Sequence, residues 1–274
     1  MFGALLITLR EGLEAALIIG IILAFLNSTG NRKWFKSVWI GTGAALISSI
    51  LVGSVLFVTI GAFEGRVEEI FEGFAMLIAA GVLTWMIFWM RKQARNIKTH
   101  LHDDIQTAIS NGSSLALVSL AFIAVVREGI ETALFLFAAT RGEESPLLSI
   151  VGGIIGLTAA VGIGYAAYKR TTKLNLKTFF NITGVLLILF AGGLLAHGIH
   201  ELQEAGLVPI VIEHIWDINN VLPEASTVGK FFSSVFGYNG NPSLMEMIFY
   251  TGYLVSMPFL FFKSGNRQLT TAQV

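Results

Sequence analysis

Long apolar stretches alternate with short polar connections along this chain. A helix of about 20 apolar residues spans the roughly 30 Å hydrocarbon core of a bilayer, and seven stretches reach that length. The sequence does not show the ten-residue alternating segments of a transmembrane barrel. The pattern therefore predicts an all-α membrane protein with seven transmembrane helices, at about 3–26, 38–61, 71–90, 115–139, 147–168, 179–202 and 244–262.

The composition agrees with this interpretation. Of 274 residues, 54% are hydrophobic and only 13% are charged, which is more apolar surface than one soluble core could bury. Cysteine is absent from the sequence. Disulfides and thiolate ligands are therefore excluded, and a metal ion would have to bind oxygen or imidazole.

Basic residues are distributed unevenly between the two sides of the predicted bundle. Lys and Arg concentrate in the connections after the first, third and fifth spans and in the C-terminal tail, whereas the other connections hold only Arg66, Arg141 and Lys230. The positive-inside rule then places the N-terminus outside and the C-terminus in the cytoplasm. An aromatic belt at the inner boundary would comprise Trp34, Trp39, Trp85 and Trp89.

Acidic residues show the opposite distribution. Only Asp103 and Asp104 fall on the predicted inner side. The outer side holds Glu64, Glu68, Glu69, Glu72, Glu143, Glu144, Glu201, Glu204, Glu213, Asp217, Glu224 and Glu246. Such a field concentrates cations, so we expect an acidic outer vestibule and a positively charged cargo or partner, unless these are simply solvated loop charges.

A charged motif occurs twice inside the apolar stretches. Arg10-Glu11-Gly12-Leu13-Glu14 lies in the first span, and Arg127-Glu128-Gly129-Ile130-Glu131 lies 117 positions later, in the fourth. Each ionised side chain at bilayer depth costs roughly 2.5–3.5 kcal/mol on insertion scales. Successive helical residues are about 100° apart, so the charges of each motif share one face of its helix. Another face of the first helix carries small residues at four-residue spacing, namely Gly12, Ala16 and Gly20. Small residues in this pattern allow close helix packing.

The surroundings of the two motifs also correspond, because the second and fifth spans are both rich in glycine. The chain is therefore predicted to be a single domain built as an inverted 3+3 repeat plus a seventh helix. Repeat one covers about 1–92, repeat two about 113–204, the outer loop 205–243 and the seventh helix 244–262. Transporters of this kind bind substrate near the midplane, where the repeats meet.

The charge balance of the motifs suggests a cation site. Four Glu and two Arg leave a formal surplus of two negative charges, which a multivalent cation would neutralise. Carboxylates suit ferric iron, manganese, magnesium and calcium, and they also accept ferrous iron. The alternative is that each motif forms a buried salt bridge that joins two helices.

A second candidate site lies at the outer ends of the third and sixth spans. Its residues are Glu69, Glu72, His197, His200, Glu201 and Glu204. Imidazole combined with carboxylate favours a transition metal, although a helix end emerging into water would show the same pattern. In the following loop, residues 211–218 are predicted to form an interfacial helix. Ser243 and Glu246 form a capping box that starts the seventh helix.

The motifs and their flanks resemble the oxidase-dependent iron permease family, which includes fungal high-affinity iron permeases and a bacterial EfeU-like branch to which this sequence is closest. The resemblance extends to Leu9–Ile18, Leu83–Lys92, Glu204–Leu207 and Phe236–Tyr238. It implies a multi-pass iron permease of the inner membrane, not an enzyme. Within it, Glu11, Glu14, Glu128 and Glu131 would bind iron, Arg10 and Arg127 would orient them, and the outer Glu pairs would load the ion. Extracytoplasmic iron-oxidising proteins would be its partners.

Other functions remain as alternatives at this point. They are a permease for another metal such as lead or manganese, a membrane-bound ferroxidase, and a structural helix-pairing protein. The sequence has no phosphate-binding loop motif, and we expect no nucleotide, haem or flavin cofactor and no nucleic-acid partner. Ferrous and ferric iron are both compatible with the motifs, and the oligomeric state is left open.

Overall fold

The chain folds into a bundle of long helices. The structure, a computed structural model, describes residues 1–60, 64–93, 105–110, 112–141, 146–170 and 176–270. Its long helices are α1 (Phe2–Ser28), α2 (Phe35–Ile60), α3 (Arg66–Gln93), α4 (Ser114–Arg141), α5 (Pro146–Arg170) and α6 (Leu176–Glu204), followed by the short α7 (Thr227–Phe236) and the long α8 (Leu244–Thr270). These residues contain no strand, so the all-α prediction is confirmed for them. Asp103, Asp104, Glu143 and Glu144 lie outside the described residues.

Five segments are long and apolar enough to cross a membrane. They are Arg32–Thr59, Arg66–Trp89, Leu147–Ala166, Asn181–Glu204 and Leu244–Phe261. The outward faces of α2 and α5 carry rows of exposed branched side chains, among them Ile47, Val58 and Ile154. Exposed apolar surface of this extent is stable against lipid and not against water. The chain is thus a multi-pass membrane protein, and the two remaining long helices, α1 and α4, are those that carry the charged motifs.

The predicted start of α8 is confirmed. Ser243 Oγ accepts a hydrogen bond from the Glu246 amide at 3.3 Å, and the Glu246 carboxylate accepts one from the Ser243 amide at 3.2 Å. These reciprocal bonds satisfy two amides that a helix N-terminus would otherwise leave unpaired.

The prediction of a helix at residues 211–218 is wrong, because residues 205–226 form turns, bends and irregular backbone. Their backbone groups find partners in the returning chain instead. Ile215 N donates to Pro242 O at 3.0 Å, Ile218 N to Gly240 O at 2.9 Å, and Leu244 N to Ile212 O at 3.1 Å. The apolar spacing had a helical period, but these long-range bonds take up amides that a helix would need. The loop's helix is α7, which starts at the Ser226 cap and ends at Gly237 in the left-handed region.

The most extensive helix contacts join α1 with α5, α2 with α4, and α3 with α6. Small residues bring the backbones together in the first pair. A methyl group placed on Gly12 would lie 2.8 Å from Ala160 Cβ, and one placed on Gly164 would lie 2.6 Å from Ala16 Cβ. The predicted packing face is thus confirmed for Gly12 and Ala16. Gly20 has no neighbour within 4 Å of that position, so it does not belong to this contact.

The α2–α4 pair is built in the same way. A methyl group on Gly129 would lie 2.6 Å from Ser49 Cβ, and one on Gly41 would lie 3.1 Å from Ala121 Cβ. The glycine of each charged motif therefore sits at a close helix contact, Gly12 against α5 and Gly129 against α2. Closely packed small residues are a main source of helix association inside membranes.

Two buried apolar clusters lie along α1 and α4. The first apolar cluster contains Ile7 of α1 and Phe135 of α4, together with residues of α3, α6 and α8. The second apolar cluster contains Ile22 of α1 and Ala121 of α4, with residues of α2. The two helices enter the clusters in opposite order, so they run antiparallel. Both charged motifs lie between the clusters along the chain.

The close α1–α5 contact predicts the effect of adding one methyl group. In Gly156→Ala the new Cβ would meet α1 backbone, including Leu9 N at 2.9 Å, which no rotamer change can relieve. We expect this overpacking to cost about 1–3 kcal/mol and to lower the thermal unfolding midpoint in detergent. The matched control, Gly162→Ala on the same helix, has open space at its Cβ position and should unfold as the wild type does. Equal midpoints for the two variants would contradict this packing.

Candidate metal site

Three carboxylates from the two motifs converge where α1 meets α4. Glu11, Glu128 and Glu131 each present one oxygen, and these three oxygens all lie within 4.8 Å of one another. Glu11 and Glu128 are buried, and Glu131 is mostly so. Oxygen ligands on opposite sides of one cation are about 4–5 Å apart, because each lies about 2.0–2.6 Å from the ion. The spacing of this carboxylate site therefore suits a single metal ion.

Each arginine forms an ion pair with the second Glu of its own motif. Arg10 Nε lies 3.2 Å from Glu14 Oε1, and Arg127 Nε donates to Glu131 Oε1 at 2.9 Å. Arg10 also reaches Glu11, with Nη1 3.9 Å from Oε1. Glu131 nevertheless contributes to the three converging oxygens, whereas Glu14 does not. Residues four apart on a helix lie on the same face, which explains both pairs.

The arginines do not satisfy the carboxylates. Among the residues the structure describes, no N–H or hydroxyl group donates a hydrogen bond to either oxygen of Glu11, Oε1 of Glu14, Oε2 of Glu128 or Oε2 of Glu131, all of which are buried. Glu11 and Glu128 themselves lie within hydrogen-bonding reach of each other when one of the two is protonated. A buried charged acceptor without a donor is strongly destabilising. A salt bridge within each motif would leave these oxygens unexplained, whereas a cation among them would satisfy them together.

The two arginines have different surroundings. The Arg10 side chain is 3% exposed, whereas that of Arg127 is 37% exposed. The Arg127 guanidinium carbon lies 4.1 Å from the centroid of the Trp89 ring, within the range of a cation–π contact. Trp89 also stacks on Trp85, with ring centroids 6.0 Å apart. From the sequence, Trp89 is predicted only as part of the aromatic belt, because nothing in the sequence relates it to a motif in another helix.

Apolar layers separate the carboxylate site from both ends of the bundle. Ile7 lies one helical turn from Glu11, Phe135 lies one turn from Glu131, and both are fully buried in the first apolar cluster. On the other side, Ile22 and Ala121 of the second apolar cluster are equally buried. Residues four apart share a helix face, so Ile7 and Phe135 cover the site directly. Along α1 and α4, the carboxylate site therefore lies between two buried apolar clusters.

The predicted outer residues share one end of the bundle, which we call the acidic end. His200 Nε2 lies 3.4 Å from Glu204 Oε1, and its Nδ1 lies 3.1 Å from Glu246 Oε1. Glu246 is buried and also accepts a hydrogen bond from Asn239 Nδ2 at 2.8 Å. The residue predicted as a helix cap is thus also the partner of a candidate ligand, 46 positions away.

The other outer residues lie on α3 and α6 at the same end. Glu72 is buried and Glu69 is partly buried. Both interact electrostatically with Glu201, and His197 lies one turn deeper along α6 than Glu201. Within the described part of the chain, no three of these outer residues bring their ligand atoms as close together as Glu11, Glu128 and Glu131 do. The outer loading site stays a prediction.

Comparisons with known proteins agree with the motifs. Residues 1–266 match the iron permease FTR1 family. The chain is 37% identical over 264 residues to the ferrous iron permease EfeU of Yersinia pestis, covering 96% of this chain and 93% of that protein. It is 38% identical over 257 residues to the ferrous iron permease EfeU of Escherichia coli strain UTI89, covering 93% of each. These relatives are named permeases and not enzymes. No solved structure matches the chain.

The convergence of three carboxylates predicts unequal effects of four conservative substitutions. Glu11→Gln and Glu128→Gln each remove a converging buried ligand and should weaken Fe²⁺ binding by about tenfold or more, the equivalent of 1.4 kcal/mol. Glu14→Gln should weaken binding less, because Glu14 lies outside the three converging oxygens. Glu213→Gln, in the exposed outer loop, is the control and should bind as the wild type does. Anaerobic titration of purified protein in detergent measures these affinities, and equal losses for Glu11→Gln and Glu14→Gln would refute the ranking.

Proposed function

This chain belongs to the iron permease FTR1 family, and from that premise we propose that it carries iron across the cytoplasmic membrane through the carboxylate site of Glu11, Glu128 and Glu131. The observation that carries the proposal is the group of buried carboxylate oxygens without donors at the meeting point of α1 and α4. Glu14 and the two arginines complete the site by setting its charge and by orienting the neighbouring carboxylates.

The charge of the site favours Fe²⁺ as the transported form. Four Glu and two Arg sum to minus two, so a divalent ion brings the buried group to neutrality. Fe³⁺ would leave an uncompensated positive charge in a region of low dielectric constant, which is costly. The relatives from Yersinia pestis and Escherichia coli are named ferrous iron permeases, which agrees with Fe²⁺ as the transported form.

We further propose that α1 and α4 also cross the membrane, which makes seven spans. They contain 27 and 28 residues, enough for about 40 Å of helix at 1.5 Å per residue. Each packs along its length on a candidate span, α1 on α5 and α4 on α2. The distribution of Lys and Arg then places the acidic end outside and the C-terminus in the cytoplasm.

The helix contacts support the inverted repeat. Exchanging the two halves turns the α1–α5 pair into the α4–α2 pair and leaves the α3–α6 pair unchanged. The motif glycines follow the same exchange, because Gly12 packs on Ala160 of α5 and Gly129 packs on Ser49 of α2. Repeat one would then cover about 1–92 and repeat two about 113–204, with the carboxylate site where the repeats meet.

The transport path would run from the acidic end to the cytoplasm. Cations collect near Glu72, Glu201 and Glu204, where negative charge raises their local concentration. They pass the layer formed by Ile7 and Phe135, bind at the carboxylate site, and leave through the second apolar cluster. Because apolar constrictions exclude water and ions, the two layers must open at different times for transport without a leak.

Iron uptake by reconstituted protein tests this function. In proteoliposomes, Glu11→Ala, Glu14→Ala, Glu128→Ala and Glu131→Ala should each reduce uptake of radiolabelled Fe²⁺ to near background, and Glu213→Ala should not. Unlabelled Fe²⁺ should compete better than Mn²⁺ or Pb²⁺. Size-exclusion profiles and unfolding midpoints show whether each variant is folded. Wild-type uptake by all four motif variants would remove the carboxylate site from the mechanism, and stronger competition by Mn²⁺ or Pb²⁺ would point to another cargo.

Single cysteines test the orientation, since the chain has none of its own. Val221→Cys lies in the α6–α8 connection, where the native side chain is 85% exposed, and Thr29→Cys lies in the exposed α1–α2 connection. A membrane-impermeant maleimide should label Cys at position 221 in intact spheroplasts and label Cys at position 29 only after permeabilisation. The opposite labelling pattern would reverse the assigned orientation.

A further inference from the structure

The contact between Arg127 and Trp89 links the second motif to a helix that carries no ligand of the carboxylate site. The guanidinium carbon of Arg127 lies 4.1 Å from the centre of the Trp89 ring. Trp89 comes from α3, and its stacking on Trp85 one turn away, at an interplanar angle of 25°, braces the ring from within the same helix. A flat guanidinium against a flat ring restricts the orientation of an otherwise flexible side chain.

The two arginines also differ in which carboxylates they reach. Arg10 approaches both acids of its motif, at 3.2 Å from Glu14 and 3.9 Å from Glu11. Arg127 pairs with Glu131 at 2.9 Å, and within the described residues it forms no ion pair with Glu128. Glu128 keeps a buried oxygen that has no hydrogen-bond partner there and is one of the three converging ligands.

We propose that Trp89 is a positioning residue for iron binding, which holds the Arg127 guanidinium beside Glu131 and away from Glu128. This inference rests on the proposed function. An arginine that could turn toward Glu128 would neutralise it and compete with the cation for the same oxygen. Trp89 thus keeps Glu128 available as a ligand, although it contributes no ligand atom.

Concentration-dependent uptake separates this role from a general effect on folding. In proteoliposomes, Trp89→Leu should raise the iron concentration for half-maximal uptake by about tenfold, while the rate at saturating iron stays within about twofold. Trp89→Phe keeps an aromatic face and should restore near wild-type behaviour. The matched control is Trp39→Leu on α2, whose native side chain is 57% exposed and lies away from both motifs, and it should behave as the wild type does.

A double-mutant cycle tests whether Trp89 acts through Arg127. Lysine has no planar guanidinium to stack, so Trp89→Leu should have little further effect on half-saturation in an Arg127→Lys background. Unchanged half-saturation in Trp89→Leu, full additivity with Arg127→Lys, or failure of Trp89→Phe to restore binding would each overturn the proposal.

Fe²⁺ titration of the same variants in detergent distinguishes failure of this inference from failure of the proposed function. If the wild type binds Fe²⁺ but does not transport it, the proposed function fails. The positioning role is then still decided by whether Trp89→Leu weakens binding by the expected factor. A wild-type affinity for Fe²⁺ in Trp89→Leu would overturn the positioning role even if uptake by the wild type is normal.

Discussion

Buried carboxylates with too few donors are the constraint on which the rest of this structure depends. Glu11 and Glu128 lie in the interior with oxygens that no described N–H or hydroxyl donor reaches, and such groups are stable only if they bind protons or another cation. The apolar clusters that contain Ile7 and Ile22 offer these oxygens no donor from either side. A bound cation would therefore stabilise the buried carboxylates, while the apolar clusters on both sides would restrict its entry.

The motif meets this constraint because one helical turn serves two purposes. Glu11 is directed at the carboxylates of α4, while the adjacent Gly12 packs against Ala160 of α5. Gly129 packs against Ser49 of α2 in the same way. A larger residue at either glycine would push α1 or α4 away from its partner and would shift the neighbouring carboxylates with it. Close packing and the converging carboxylates thus both depend on the same five-residue motif.

Much of this arrangement is local and could be predicted from the sequence. The all-α fold, the Arg10–Glu14 and Arg127–Glu131 pairs and the α8 capping box all depend on spacings of three or four residues, which helix geometry determines. Contacts between distant segments could not be predicted. That Glu14 lies outside the converging group depends on how α1 is rotated against α4, and the contacts of Trp89 and Glu246 join residues far apart in the chain. The prediction of a helix at 211–218 failed for the same reason, because amides of this segment donate to the carbonyls of residues 240 and 242.

The charge balance relates the carboxylate site to the movement of the bundle. An empty site with all four carboxylates ionised would hold a formal surplus of two negative charges, which is costly to enclose between apolar layers unless protons neutralise it. A bound divalent ion removes that surplus, so closing both layers around the site becomes much more favourable once the ion is present. Closure is more favourable with the ion than without it only while Arg127 stays beside Glu131. An arginine that neutralised Glu128 would stabilise the closed, empty site as well. On this argument, the stacking of Trp89 on Arg127 affects the affinity for the ion and also makes closure depend on the ion.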